Sequence, residues 1–175
     1  MVFANYSIWV ALPLYAERTF GATPNSTANL LMVITIVHLL AAMPVGTLIA
    51  RIGSETVLVL GMLVSLIGTV SVLAAPGLLW MSVPLVLYGT GQVAAVNAGG
   101  DIVLQRGEAS NKAIGYVRLS SDFGLVVGPI VAGAMADRPG YGAPFAFLPV
   151  MMAMTAMAKA LGLIIRPGRQ RREFL

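Results

Sequence analysis

Arg118 and Asp122 stand four residues apart inside an otherwise apolar run. On a helix that spacing places both side chains on one face. Ionised groups surrounded by apolar sequence are expensive, and they pair, line water or bind something. Two chemistries follow: a proton or solute site, or a structural pair that latches a moving bundle. Asp122→Asn should therefore impair activity more than membrane insertion. His38 is the only histidine, again in the middle of an apolar run. An imidazole titrates near physiological pH and could relay protons; a neutral ring hydrogen-bonded to a neighbouring element is the alternative. Lys159 lies close enough to the end of its run to snorkel, and Asp101 lies at the end of another.

The elements that hold these residues follow from the charges. Between Thr56 and Gly100 there are 45 residues with no charged side chain. A hydrocarbon core about 30 Å thick is crossed by roughly 20 apolar residues in a helix. That one run suffices for two crossings, broken at Ala75-Pro76-Gly77. Charges and turn residues divide the whole chain into six spans, at about 1–16, 27–50, 56–74, 78–104, 113–136 and 144–165, with a basic tail at 166–175. Long runs without period-two alternation mean helices, since lipid demands that the backbone satisfy itself. Arg118 and Asp122 then sit roughly 8 and 14 Å inside the near end of the fifth span by helical rise.

Composition agrees, at 58% hydrophobic and 10% charged, against about 25% charged in a soluble domain. There is no cysteine, hence no disulfide and no thiolate metal site. No His/Asp/Glu cluster has metal-ligand spacing. The net charge of +4 does not indicate nucleic acid, because the basic residues sit at span ends. The first span is short and has no basic residue before Arg18, unlike a signal peptide, so further residues are expected upstream of Met1.

Lys and Arg distribute unevenly. The side holding the turn at Arg51, the loop 105–112 and the tail carries seven; the other side carries Arg18 and Arg138. The positive-inside rule puts the first side, and both termini, in the cytoplasm, which an even number of spans requires. The tail would also attract anionic membrane lipid.

Small residues recur four apart. The fifth span carries Ser120, Gly124, Gly128, Ala132 and Ala136, the fourth Gly91, Ala95 and Gly99, and the third Gly61, Ser65 and Gly68. Such stripes let membrane helices approach closely. Pro129, beside Gly128, removes a backbone hydrogen bond and predicts a kink. A packed, kinked helix suits a body that rocks against its neighbours.

These features resemble the major facilitator superfamily of secondary transporters. The turn after the second span reads Gly46-Thr-Leu48-Ile-Ala50-Arg51-Ile-Gly53-Ser54-Glu55. It is similar to the family's G-x-L-x-D-R-x-G-R-[RK] signature at Gly46, Leu48, Arg51 and Gly53, with Ala50 in place of the Asp and Ser54-Glu55 in place of the basic pair. Gly124-Leu-Val-Val-Gly128-Pro129-Ile-Val-Ala132-Gly133 looks like the family's G-x-x-x-G-P-x-x-G-G element. The degenerate turn, the absence of an Arg from the membrane part of the fourth span and the basic tail resemble the second half of a twelve-helix member.

The resemblance implies an all-α membrane protein, a six-transmembrane-helix bundle of two three-helix repeats. It implies secondary active transport of a small solute by alternating access in a plasma membrane, the bacterial inner membrane in particular. A missing amino-terminal half or a partner half would complete the cavity. Because helices one and four line the family's cavity, Asn5, Tyr6, Trp9, Tyr88, Gln92 and Asn97 become substrate-cavity candidates, lipid or packing contacts being the alternative. Arg118, Asp122 and His38 become coupling or gating candidates. The glycine–proline element resembles that of drug-exporting antiporters, which points to proton-coupled efflux. No cofactor is implied, and no Walker motif exists for ATP hydrolysis. An intramembrane protease would need a Gly-x-Ser-Gly nucleophile, which is missing. The remaining alternative is a non-transporting half-length membrane protein or regulatory subunit.

Overall fold

The computed structural model describes residues 2–105, 111–137, 142, 144–147, 149–150, 153–154 and 157. Five helices follow in chain order: α1 (Val2–Phe20), α2 (Pro24–Ile52), α3 (Ser54–Val72), α4 (Ser82–Gln105) and α5 (Asn111–Asp137). The described residues between 144 and 157 are helical, except for a turn at Gly142 just before them. The basic tail, Lys159 and most of the sixth expected span lie outside the described residues.

Local chemistry sets the helix ends. Thr23 caps α2 by accepting a hydrogen bond from the Ser26 amide at 3.3 Å, and Pro24 follows at the first helical position, where its missing N–H costs nothing. The helix therefore starts three residues before the expected Thr27. α1 likewise runs past Glu17 and Arg18 to Phe20, because neither charge breaks a helix. Between α2 and α3 a single residue turns the chain. Gly53 has φ 84°, a left-handed value that a side chain would strain, and its N–H closes α2 on Ile49 O at 2.9 Å. The expected turn at Arg51–Glu55 is thus one glycine, with Arg51 still in α2 and Glu55 already in α3.

Apolar side chains lie outside as well as inside. Leu39 is 76% exposed and Met43 85%, and Ile36, Leu63, Ile67, Phe123 and Ile130 are exposed too. In water such a surface would aggregate; in lipid it is the required one. By length and apolarity two described helices could cross a membrane, Pro24–Ile52 and Ser54–Val72, and Ser121–Met135 is a shorter apolar stretch. This is fewer than the six expected. Most of the sixth expected span lies outside the described residues, and α1 and α4 spend positions on Asn5, Tyr6, Ser7, Tyr88, Thr90, Gln92 and Asn97, which lowers their apolarity.

α3 packs most extensively on α4, α5 on α1, and α2 on α4. The α3–α4 seam is a contact of backbones. A Cβ placed on Gly61 would lie 2.7 Å from Ala95 N, and one on Gly68 would lie 2.8 Å from Pro84 O. Ser65 donates to the Tyr88 carbonyl across the seam at 3.4 Å. Ala95 is buried there, whereas Gly99, on the same stripe, faces open space.

The α1–α5 contact uses the other stripe. Gly124, Gly128 and Ala132 are buried, and buried Ser7 donates its hydroxyl to Gly128 O at 3.0 Å. Pro129 follows and has no N–H to give to the Leu125 carbonyl one turn back, and the serine bond ties this stretch of α5 to α1. Ser7→Ala should cost about 0.6 kcal/mol, the usual worth of an interhelical side-chain bond in membranes. A thermal melt in detergent indistinguishable from the parent would show that the bond contributes nothing.

Two apolar clusters result. One joins α1, the first half of α2, the end of α3 and the start of α4 around Leu12, Ile34, Val72, Leu85 and Tyr88. The second joins α2, α3 and α4 around Val45, Val57, Met62 and Ala98.

Candidate functional site

His38 is the central residue of α2, which runs from Pro24 to Ile52, and Gln92 lies near the middle of α4, which runs from Ser82 to Gln105. By helical rise each is roughly 15–21 Å from either end of its helix. On both helices these residues fall between the two apolar clusters: Ile34 and Tyr88 belong to one, Val45 and Val93 to the other. The seam between the clusters opens as a cavity of about 180 Å³ lined by His38, Gln92, Val93, Val96 and Asn97.

A glycine brings the helices together there. A Cβ on Gly89 would lie 3.1 Å from Val37 Cγ1 and 3.6 Å from His38 Cδ2. Without that side chain α2 rests against α4 and the imidazole edge lies against its backbone.

Hydrogen bonding in the cavity is incomplete. Gln92 is 2% exposed, and among the described residues its amide nitrogen, its amide oxygen and His38 Nε2 are buried without a partner. A buried polar group without a partner costs about 1–3 kcal/mol. Both residues line the cavity, and their unpartnered atoms call for a group that donates and accepts.

The other sequence candidates scatter. Tyr88 is one turn from Gln92 but fully buried in the first cluster, so it does not line the cavity. Tyr6 and Trp9 are half-buried on α1 and are not among the five lining residues; the Asn5 side chain lies outside the described residues. Arg118 and Asp122 are exposed on α5, and among the described residues no ion pair joins them. Gly46, Leu48 and Arg51 are exposed near the end of α2. Gly133 is half-buried with open space around it.

A second polar group was not foreseen. Ser54, the first residue of α3, donates to the Asp101 carboxylate on α4. Gln105 Nε2 donates to Ser54 Oγ at 3.3 Å and to Asp101 as well. Together they strap the Gly53 turn to α4. The available signal was the four-residue spacing of Asp101 and Gln105, combined with a hydroxyl where the signature loop has a basic residue. Asp101→Ala leaves two donors without their acceptor and should cost about 1–2 kcal/mol. An unshifted melt would show the strap to be idle.

Described residues that are helical apart from turns, with backbone-tight helix pairs, an apolar exterior and a polar cleft at mid-helix, fit the frame of a membrane transporter. The chain matches the Major Facilitator Superfamily over residues 1–174, and it belongs to that family of membrane-embedded transporters of small solutes. No curated protein and no solved structure matches it.

Proposed function

We propose that this chain moves a small solute across a membrane by alternating access, with the His38–Gln92–Asn97 cleft as the solute site. The observation that carries this reading is the buried amide and imidazole without partners at the centre of two helices. Family transporters bind near the bilayer midplane, and polar groups there are retained for function by default. In this proposal the chain makes six crossings with both termini cytoplasmic, in a bacterial plasma membrane. Asp122 is the group that could couple a proton to the solute, and efflux is the direction we favour.

A partner half belongs to the proposal. α5 exposes Leu119, Phe123, Val126 and Ile130, spaced four, three and four apart, and Arg118 and Asp122 are exposed beside them. Charges at this depth need water or protein rather than lipid. An amino-terminal half seated there supplies both, and α5 becomes the helix that rocks against it.

The test is solute flux in proteoliposomes containing the chain together with whatever native partner co-purifies with it. Asp122→Asn is expected to insert normally and to lose at least about tenfold in flux, the effect of about 1.4 kcal/mol. Equal loss of insertion and flux would assign Asp122 to folding alone. Absence of flux from every preparation, parent included, would remove the transport reading.

A further inference from the structure

We propose that the cleft between α2 and α4 recognises an uncharged solute with a carboxamide-like head and a small apolar body. This rests on reading the cleft as the transport site and names the chemistry that the site selects.

The lining contains three polar side chains, two valines and no charged residue. Gln92 presents a free N–H and a free carbonyl side by side, both buried. The group that satisfies both at once is another amide, whose own carbonyl and N–H pair with them head to head. A simple ether or ketone satisfies only the donor, and an ammonium only the acceptor. His38 Nε2 and the Asn97 side chain, on the same cavity, extend the hydrogen bonding around such a head.

Charge is selected against. An ion at mid-membrane without a counter-charge is penalised by several kcal/mol. The Asp101 carboxylate is nine residues along α4 from Gln92, roughly 13 Å by helical rise, and is already engaged by Ser54 and Gln105. Val93 and Val96 give the body of the solute an apolar wall. The volume of about 180 Å³ is below the roughly 300–1,000 Å³ of drug-sized sites and matches one ring bearing an amide.

The single histidine makes the test direct. The full chain, in lipid nanodiscs with its histidine labelled at the ring nitrogens, gives one imidazole to observe by NMR. Benzamide, benzoate and benzylamine serve as probes: the same ring carrying a neutral, an anionic and a cationic head. Benzamide is expected to shift the His38 signal saturably, and the two ions are not. Gln92→Leu is expected to weaken benzamide roughly tenfold, the worth of a lost pair of hydrogen bonds. Gln92→Glu, of nearly the same shape, should weaken it too, which guards against a packing artefact. Benzoate or benzylamine binding as tightly as benzamide would overturn the proposal. So would a benzamide response that is absent, or one unchanged in both Gln92 variants. Solute flux measured in parallel separates this from the transport reading: benzamide binding without flux sinks transport alone, and flux without benzamide binding sinks the carboxamide assignment alone.

Discussion

Gly91→Leu is expected to abolish the folded state of the bundle. A Cβ at Gly91 would lie 2.6 Å from both Gly61 O and Ser65 Oγ, and closer still to the Ser65 amide nitrogen. Two of those three atoms are helix backbone and cannot rotate away. Ordinary overpacking costs about 1–3 kcal/mol because side chains re-arrange; here the helices themselves must part. The α3–α4 contact is the most extensive in the molecule, and in lipid it is held by close packing rather than by exclusion of water. Separation therefore forfeits most of what holds α3 in place. Gly91→Ala should already show a clear loss, of about 1–3 kcal/mol. Gly99→Ala is the control on the same stripe: nothing lies within 4 Å of its added Cβ. Removing a mid-helix glycine should leave stability unchanged or raise it by about 0.5–1 kcal/mol. Thermal unfolding and size-exclusion profiles in detergent make the comparison. Gly91→Leu with a parental melt would mean that the seam is looser than described.

Gln92→Leu is expected to move stability and transport in opposite directions. Its amide is buried and, among the described residues, unpartnered at both atoms. An apolar side chain of similar volume removes that debt, so the variant should melt at or above the parent temperature, by about 1–3 kcal/mol at most. The same change deletes the donor and the acceptor that face the cleft, and flux should fall at least about tenfold. Parallel melts and flux assays decide it. A variant that loses both would place Gln92 in the packing of α4, and one that keeps full flux would remove it from the solute path.

Much of the frame was legible because membrane burial writes itself into composition. Charge-free runs, small-residue stripes and the positions of Pro and Gly are one-dimensional signals. They located the five described helices to within a few residues. The boundaries that moved did so where chemistry is local but weak: Glu17 and Arg18 did not end α1, and Thr23 with Pro24 started α2 early. The candidate site was legible only in part. Gln92 and Asn97 were singled out as cavity residues, and His38 as a coupling or gating residue. Tyr88, one turn from Gln92, carried the same signal and turned inward to the first cluster. Ser7 carried no signal beyond its residue type, since a serine on a helix means nothing until its partner is known.

By itself, then, the sequence determined the class of solvent, the helical character and the family, because each depends on residue types counted along the chain. Only the tertiary structure decided that α2 meets α4 at Gly89, that the His38 and Gln92 polar atoms face one cavity, and that Asp101 holds the turn at Gly53. The reason is physical. Burial preference is a property of each residue, whereas a hydrogen-bonding partner is a property of two segments at one depth and one rotation. For His38 and Gln92 those segments are separated by 53 residues of chain.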